Sequence, residues 1–172
     1  IFDSPSDAIL WDVGHQAYAH KLLTGRWEKF ESLRMTNGLS GFLDRSESPH
    51  DWMGAGHSST SLSWGLARAW SLRGTDQWTV VVIGDGGMTA GVALEALNHA
   101  SSLDLGPLLI VLNDNQMSIS PNVGALSRIF QNPVQAEDFF SCMGLNYVGT
   151  VDGHNLGALE SYLHQIQQSR SK

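Results

Sequence analysis

The sequence has a single cysteine, Cys142, among 172 residues, which excludes an intrachain disulfide and a cysteine-based zinc site. The ordinary place for such a thiol is the interior, as a small apolar residue, and that is where Cys142 is expected. Cations are also scarce: 10 Lys and Arg against 17 Asp and Glu give a net charge of −7. That balance argues against a nucleic-acid or anionic-membrane binder, because both rely on clustered basic side chains. No apolar run approaches the ~18 residues of a membrane span. Neither a start Met nor a signal-like N-terminus is present, and the opening Ile1-Phe2-Asp3 reads as an internal stretch of a longer cytosolic polypeptide. What is present is apolar residues, 42% of the chain, enough to bury a real core. Residues 1–172 are therefore expected to form one domain.

Along the chain, apolar runs alternate with stretches of helical spacing. Ala8 to Val13 reads as a buried strand closed by Gly14, and Tyr18 and Leu22 as a short helix ended by Gly25. Residues 36–56 are rich in glycine and serine and read as loop. Leu62, Leu66, Ala69 and Trp70 then repeat at helical spacing, with Gly74 as the stop. Thr79 to Ile83 is a β-branched run ending in Gly84-Asp85-Gly86, and Leu108 to Leu112 is a second run ending in Asn113-Asp114-Asn115. Between them Ala93, Ala96, Leu97 and Ala100 mark a helix face of small residues. Glu137 to Met143 reads as a short helix, Leu145 to Thr150 as a fourth strand, and Leu156 to Ile166 as the last helix. This alternation predicts an α/β fold: a doubly wound, mostly parallel sheet with helices on both faces.

In an open parallel sheet, ligands bind beyond the carboxyl ends of the strands. Gly84-Asp85-Gly86 and Asn113-Asp114-Asn115 both fall there. The glycines beside Asp85 allow a sharp turn and a close ligand approach, and a helix starting near Met88 and Thr89 would offer free N–H groups to a phosphate. A carboxylate beside an anion site makes sense only with a cation between them. Asp85 and an Asn side chain from the adjacent strand suit octahedral Mg²⁺ completed by phosphate oxygens and water. A lone Gly-Asp-Gly turn is more often plain punctuation, so the pairing of the two blocks carries the signal. His20, His50, His99, His154 and His164 show no ligand spacing, and the six tryptophans read as packing.

The paired blocks resemble the thiamine-diphosphate signature of transketolase-like enzymes. Gly84 to Gly91, Leu112 to Ser120, Trp11 to Tyr18, Gly56 to Ser61, Asn122 to Leu126 and Val151 to His154 together resemble the 1-deoxy-D-xylulose-5-phosphate synthase family, in that family's order. The resemblance implies a transketolase-like diphosphate-binding domain using thiamine diphosphate and Mg²⁺. It also implies a condensation of pyruvate with D-glyceraldehyde 3-phosphate, with loss of CO₂, that feeds isoprenoid, thiamine and pyridoxal synthesis. Carried over by motif, Asp85, the Asn115 side chain and the Met117 carbonyl correspond to the magnesium ligands. Gly86 and Gly87 correspond to the diphosphate-contacting turn, with Asn115 also touching the cofactor. Gly56, His57 and Ser58 correspond to a second cofactor-binding segment. His15 corresponds to the cofactor-proximal catalytic histidine, although the same residue would also serve as a plain helix cap. Arg34 and Arg45 fall where the family approaches phosphorylated substrate, and a solvated surface role fits them as well. The implied setting is a homodimer in the bacterial cytoplasm or, for a plant or alga, the plastid stroma.

Three departures qualify the resemblance. The family's glycine-flanked histidine segment before the first strand is not in this sequence. The long stretch that the family carries before the Val-Asp-Gly-His block is reduced here to Ser127–Leu145, as in a short natural form, a deliberate deletion or a chain with residues left out. The sequence also stops before the pyrimidine-binding and C-terminal domains, one of which supplies the glutamate that protonates the aminopyrimidine. Gly87 and Gln116 stand where alanine or serine, and glutamate, are usual. The chain is thus expected to be the diphosphate half of a shared site and inactive alone. The alternatives are a non-catalytic binding or regulatory module and a subunit of a split transketolase-like enzyme performing ketol transfer.

Overall fold

The computed structural model describes residues 1–115, 117, 118 and 120–169. Three parallel strands, β1 (Ala8–Trp11), β2 (Thr79–Gly84) and β3 (Leu108–Asn113), form a sheet in the order β1-β2-β3. Ala8 pairs with Thr79 and Trp11 with Val82; Thr79 pairs with Leu108 and Gly84 with Asn113. Since all three run the same way, their carboxyl ends share one edge of the sheet.

The period of two along β2 splits the core into two layers. Val81 and Ile83 face one side, packed with Leu62 and Leu66 of α2 (Ser61–Ser71) and with Ala93, Ala96, Leu97 and Ala100 of α4 (Gly91–Ala100). Val80 and Val82 face the other, where Trp78, Leu109, Leu163 and Ile166 pack. The last two residues belong to α7 (Leu156–Ser169), so helices cover both faces as expected. Gly65 lets α2 sit close on the sheet, because a Cβ there would run into Val81 Cγ2.

Helix α1 (Gln16–Lys21) follows β1 through Gly14, whose φ of +150° is readily adopted only without a Cβ. Helix α1 runs into an irregular turn over Leu22–Arg26, where Gly25 takes φ +90° and ends it as anticipated. A single 3₁₀ turn at Phe30–Ser32 precedes the long loop. That loop is polar in sequence yet anchored: Leu39, Leu43, Met53, Ala55 and Asp51 are buried.

The region after β3 departs from expectation. Residues 145–150 form no strand. Gly149 takes φ +111°, outside the extended region, and the apolar side chains are drawn elsewhere. Leu145 packs on the main core and Tyr147 stacks on Phe140 at 6.1 Å. Instead there is a small hairpin of β4 (Met117–Ser118) and β5 (Ser120–Pro121), then α5 (Ala125–Phe130) and α6 (Pro133–Cys142). Helix α6 starts four residues before the expected Glu137. The Asn132 side chain accepts from the Val134 and Gln135 amides while Pro133 occupies the first turn, a start signal legible in the sequence. Cys142 is exposed, contrary to the buried position expected, because it closes α6 on the solvent side. Trp27, Trp64 and Trp70 are also exposed, so the six tryptophans are not all packing residues.

Candidate active site

The candidate residues gather at the carboxyl edge of the sheet. Asp85 directly follows β2 and begins a helical turn, α3 (Asp85–Met88), capped by Gly84 in an extended conformation. This turn starts at the aspartate itself, and α4 begins at Gly91, so no helix starts at Met88 or Thr89. Gly84 pairs with Asn113, which sets Asp85 and Asn115 beside the ends of adjacent strands on the same edge.

Asp85 is 4% exposed, and its Oδ2 accepts a hydrogen bond from Asn122 Nδ2 at 3.1 Å. Among the described residues no Lys, Arg or His forms an ion pair with it. A buried carboxylate met only by a neutral amide is short of positive charge, and that deficit suits a cation. Among the described residues no three His, Cys, Asp or Glu side chains cluster. A cation at Asp85 would therefore rely on neutral oxygens for its other protein ligands, as Mg²⁺ readily does. Asn115 is exposed, and its Oδ1 accepts from the Met117 amide at 3.0 Å. That oxygen keeps a second lone pair for a ligand. Met117 is half exposed within β4. Gln116 and Ile119, quoted above within the second block, lie outside the described residues.

His15 is exposed at the N-cap of α1, just past β1, and its side chain makes no capping bond. Gly56, His57 and Ser58 are also exposed. Their loop is fixed by a residue to which the sequence assigned no role. Asp12, 2% exposed at the end of β1, accepts from the Ser59 amide at 2.8 Å and from the Ser61 amide at 3.1 Å. It thus caps α2 from a distant strand, while the Thr60 side chain makes no cap bond. Ser59 sits at φ +73°, an uncommon conformation for a non-glycine residue, next to the candidate loop. Asp12 also abuts the Asp85 turn: a Cβ on Gly87 would lie 3.1 Å from Asp12 Oδ1 and 3.2 Å from Ile83 Cγ1. A Cβ on Gly56 would meet no atom within 4 Å, so the fold itself imposes no glycine there.

Asp12 and Asn122 are the two contributors that sequence reading missed. Both stand inside quoted blocks, but their partners lie 47 and 37 residues away, beyond any local spacing rule. None of the cofactor and metal candidates lines the groove of about 570 Å³ between α2 and α4 or the smaller pocket beside Trp52, which Arg45 lines. They form an open edge. Of the two loop arginines, Arg34 donates from Nε to the Tyr18 hydroxyl at 3.1 Å and lies over Phe42, while Arg45 is exposed. His20 is buried against Asp51, as a structural histidine, and His50 Nδ1 lies 2.9 Å from the Ser4 hydroxyl.

Comparison with known proteins identifies the family and the fold. A family model described as 1-deoxy-D-xylulose-5-phosphate synthase matches residues 1–139 and 129–172. The synthase of Thermomicrobium roseum is 46% identical over 201 residues, taking in 92% of this chain and 32% of that protein. That of Myxococcus xanthus is 49% identical over 171 residues, 98% of this chain and 29% of that protein. The Thiobacillus denitrificans synthase needs 209 residues to take in 99% of this chain. The alignment to the Myxococcus xanthus synthase thus runs almost without gaps, whereas that to the Thiobacillus denitrificans synthase does not. Among solved structures, transketolase from Leishmania mexicana superposes with TM-score 0.73 at 22% identity, covering 94% of this chain and 26% of that chain. Transketolase from Pichia stipitis, as an R525L mutant, gives TM-score 0.72 at 22% identity and the same coverage. The fold is therefore transketolase-like. The chain spans about a third of the length of the curated relatives it matches. With the family model covering it from end to end in two segments, the chain belongs to the 1-deoxy-D-xylulose-5-phosphate synthase family.

Proposed function

We propose that residues 1–172 form the diphosphate- and magnesium-binding half of a thiamine-diphosphate site. The enzyme would be a transferase that condenses pyruvate with D-glyceraldehyde 3-phosphate, releasing CO₂ and forming 1-deoxy-D-xylulose 5-phosphate. The observation that carries this reading is the buried Asp85 carboxylate, which among the described residues lacks a cationic partner and shares a sheet edge with Asn115. Asp85 supplies the charged magnesium ligand, and Asn115 Oδ1 and the Met117 carbonyl supply neutral ones. Phosphate oxygens and water would complete the magnesium shell. One charged ligand suffices because the diphosphate brings its own negative charge.

When bound, thiamine diphosphate supplies the electron sink that decarboxylation of a 2-oxo acid requires. The chain's own residues hold and orient it. Gly86 and Gly87 let the backbone approach the diphosphate, and Gly56, His57 and Ser58 form a second contact whose position Asp12 sets. His15, exposed at the same edge, holds or transfers a proton near the reacting carbon, a role that suits an imidazole at neutral pH. Among the described residues the carboxylate needed at the pyrimidine end has no candidate: Glu95 and Glu137 are exposed on α4 and α6. The pyrimidine-binding half, in cis or in trans, would carry it. The complete enzyme is read as a homodimer in the cytoplasm or plastid stroma. The 172-residue chain by itself should release no CO₂ from pyruvate, because a cofactor anchored at one end is not preorganised.

Calorimetric titration of the chain with thiamine diphosphate, in Mg²⁺ and in EDTA, tests the reading. Binding should need Mg²⁺ and vanish in Asp85→Ala. Equal affinity in both conditions would sink it.

A further inference from the structure

Helix α1, which carries His15 at its N-cap, is fastened to the domain by polar contacts more than by apolar ones. Among the described residues, neither apolar cluster of the core includes a residue of α1 or of the Leu22–Arg26 turn. The buried residues of α1 are Ala17, His20 and Lys21, and that of the turn is Arg26. His20, Lys21 and Arg26 all meet two acids of the long loop. Lys21 Nζ donates to Glu47 Oε2 at 2.5 Å, and His20 Nε2 lies 3.0 Å from Asp51 Oδ1. Arg26 reaches both Asp51 oxygens, at 2.5 and 2.9 Å, a paired contact that fixes direction as well as distance. The acids are themselves fixed. The Ser40 amide donates to Glu47 Oε1 at 2.6 Å and the Asp44 amide to Asp51 Oδ2 at 3.0 Å. Just past Asp51, Met53 and Ala55 anchor the loop in the main core. The other end of α1 is held more lightly. Gly14 leads into it at φ +150°, His15 makes no capping bond, and Gln16 Nε2 donates to the Asp12 carbonyl at 3.3 Å.

We propose that Glu47 and Asp51 are positioning residues that set His15 through α1. Support runs from the core to Met53 and Ala55, then to the two acids, then to His20, Lys21 and Arg26. From there one short helix carries it to His15. Apolar packing is non-directional, whereas hydrogen-bonded charges fix register and angle. A side chain that moves a proton must stand within about 3 Å of its partner, so a small swing of α1 would misplace His15. The same loop runs on into Gly56, His57 and Ser58, so the two acids also tie His15 to the second cofactor-contacting segment. The inference rests on the cofactor reading of His15, but the placement of α1 can be measured with no cofactor present.

The test is to record residual dipolar couplings of the whole chain in the parent, Glu47→Gln and Lys21→Met. Amide couplings of Gln16–Lys21 are compared with the alignment frame fitted to β2 and β3. In the parent α1 should fit that frame. In both variants its couplings should shrink and leave the frame, while those of the sheet stay. Gly65→Ala, which crowds the sheet centre, controls for lost stability alone and should leave α1 in place. Should a single variant fail to fold, Lys21→Met/Glu47→Gln removes both charges of one pair, keeps Arg26 on Asp51, and should displace α1 likewise. Couplings that still fit the sheet frame in every folded variant would overturn the proposal. The His15 Cε1–H resonance, followed as thiamine diphosphate and Mg²⁺ are added, separates this inference from the reading beneath it. That resonance should shift in the parent, and shift less in the variants at equal cofactor saturation. An equal shift in parent and variants would also overturn the proposal. No shift in the parent, with α1 displaced in the variants, would sink the cofactor reading of His15 and leave its positioning through α1 standing.

Discussion

Asp51 and Asp85 are both buried carboxylates, and their surroundings differ in what they leave over. Asp51 accepts from Arg26 at 2.5 and 2.9 Å, from His20 Nε2 at 3.0 Å and from the Asp44 amide at 3.0 Å. Beside it Lys21, fully buried, donates to Glu47 at 2.5 Å. This knot closes the long loop onto α1 and the turn after it, and every charge in it has an opposite. Among the described residues, Asp85 has one neutral amide partner. A complete charge set holds a fold together, while an incomplete one at a sheet edge holds a place for something else. The same residue type thus serves structure in one region and, on the proposed reading, a ligand in the other.

The comparison breaks most visibly at Asp51. Asp51→Ala should cost about 3–5 kcal/mol, since it leaves buried Arg26 and Lys21 to share Glu47 alone and leaves buried donors unpaired. The urea unfolding midpoint measures this. The knot should also fail in acid. Burial pushes the Asp51 carboxyl up, but the hydrogen bonds from His20, Arg26 and Asp44 and the Arg26 charge outweigh it and hold the group well below its ordinary value of 3.8. A carboxyl depressed in the native state contributes stability in full above the unfolded-state value and loses it as pH falls further. Unfolding free energy should therefore drop as pH is lowered below about 3.8 in the parent, and that slope should be much reduced in Asp51→Ala. An unchanged acid slope would remove Asp51 from the account.

At Asp85 the signs should reverse. Asp85→Ala removes an uncompensated buried carboxylate, so the melting temperature should hold or rise while magnesium-dependent cofactor binding is lost, a usual trade at functional sites. Asn115→Ala should weaken binding strongly without abolishing it, since a neutral ligand is lost and the charged one stays. Calorimetry paired with thermal melts checks both. A large loss of stability in Asp85→Ala would make Asp85 a structural residue like Asp51.

Asp12 lies between these extremes: charged and buried, but satisfied by two backbone amides instead of cations. Asp12→Asn leaves one carbonyl oxygen for two buried N–H groups and should cost about 1–3 kcal/mol. Hydrogen exchange at the Ser59 and Ser61 amides should quicken with it. Protection unchanged at both amides would show that the loop is held by something other than Asp12.

These contrasts bear on how much the sequence could tell. The three parallel strands were legible because β-branched runs ending in glycine or asparagine have one plausible use, and Asp85 and Asn115 were legible because each closes such a run. The loop over residues 36–56 could be read as irregular, but not as an ion-paired knot. His20, Arg26, Glu47 and Asp51 are separated by distances that no periodicity records. Leu145 to Thr150 misled for a related reason. Its apolar residues fit a strand, but Gly149 leaves the extended region, Leu145 packs on the main core and Tyr147 stacks on Phe140. Local pattern captures what hydrogen bonds along an element fix, and misses what distant side chains decide.

The smallest expected effect sharpens the contrast at Gly87, the residue between the Asp12 and Asp85 environments. An added Cβ would lie 3.1 Å from Asp12 Oδ1 and 3.2 Å from Ile83 Cγ1, so each neighbour would have to give by a few tenths of an ångström. Against that, Gly87 lies within a helical turn and carries no left-handed φ, so alanine gains about 0.5–1 kcal/mol of backbone preference there. The two terms nearly cancel, and Gly87→Ala should change unfolding free energy by less than about 1 kcal/mol. Gly65→Ala is the reference: its Cβ runs into the stiff Val81 side chain of the central strand, and overpacking of that kind costs about 1–3 kcal/mol. Equilibrium unfolding of the two variants side by side decides the matter. If Gly87→Ala loses as much as Gly65→Ala, Asp12 and Ile83 cannot yield, and the turn carrying Asp85 is as rigidly packed as the centre of the sheet.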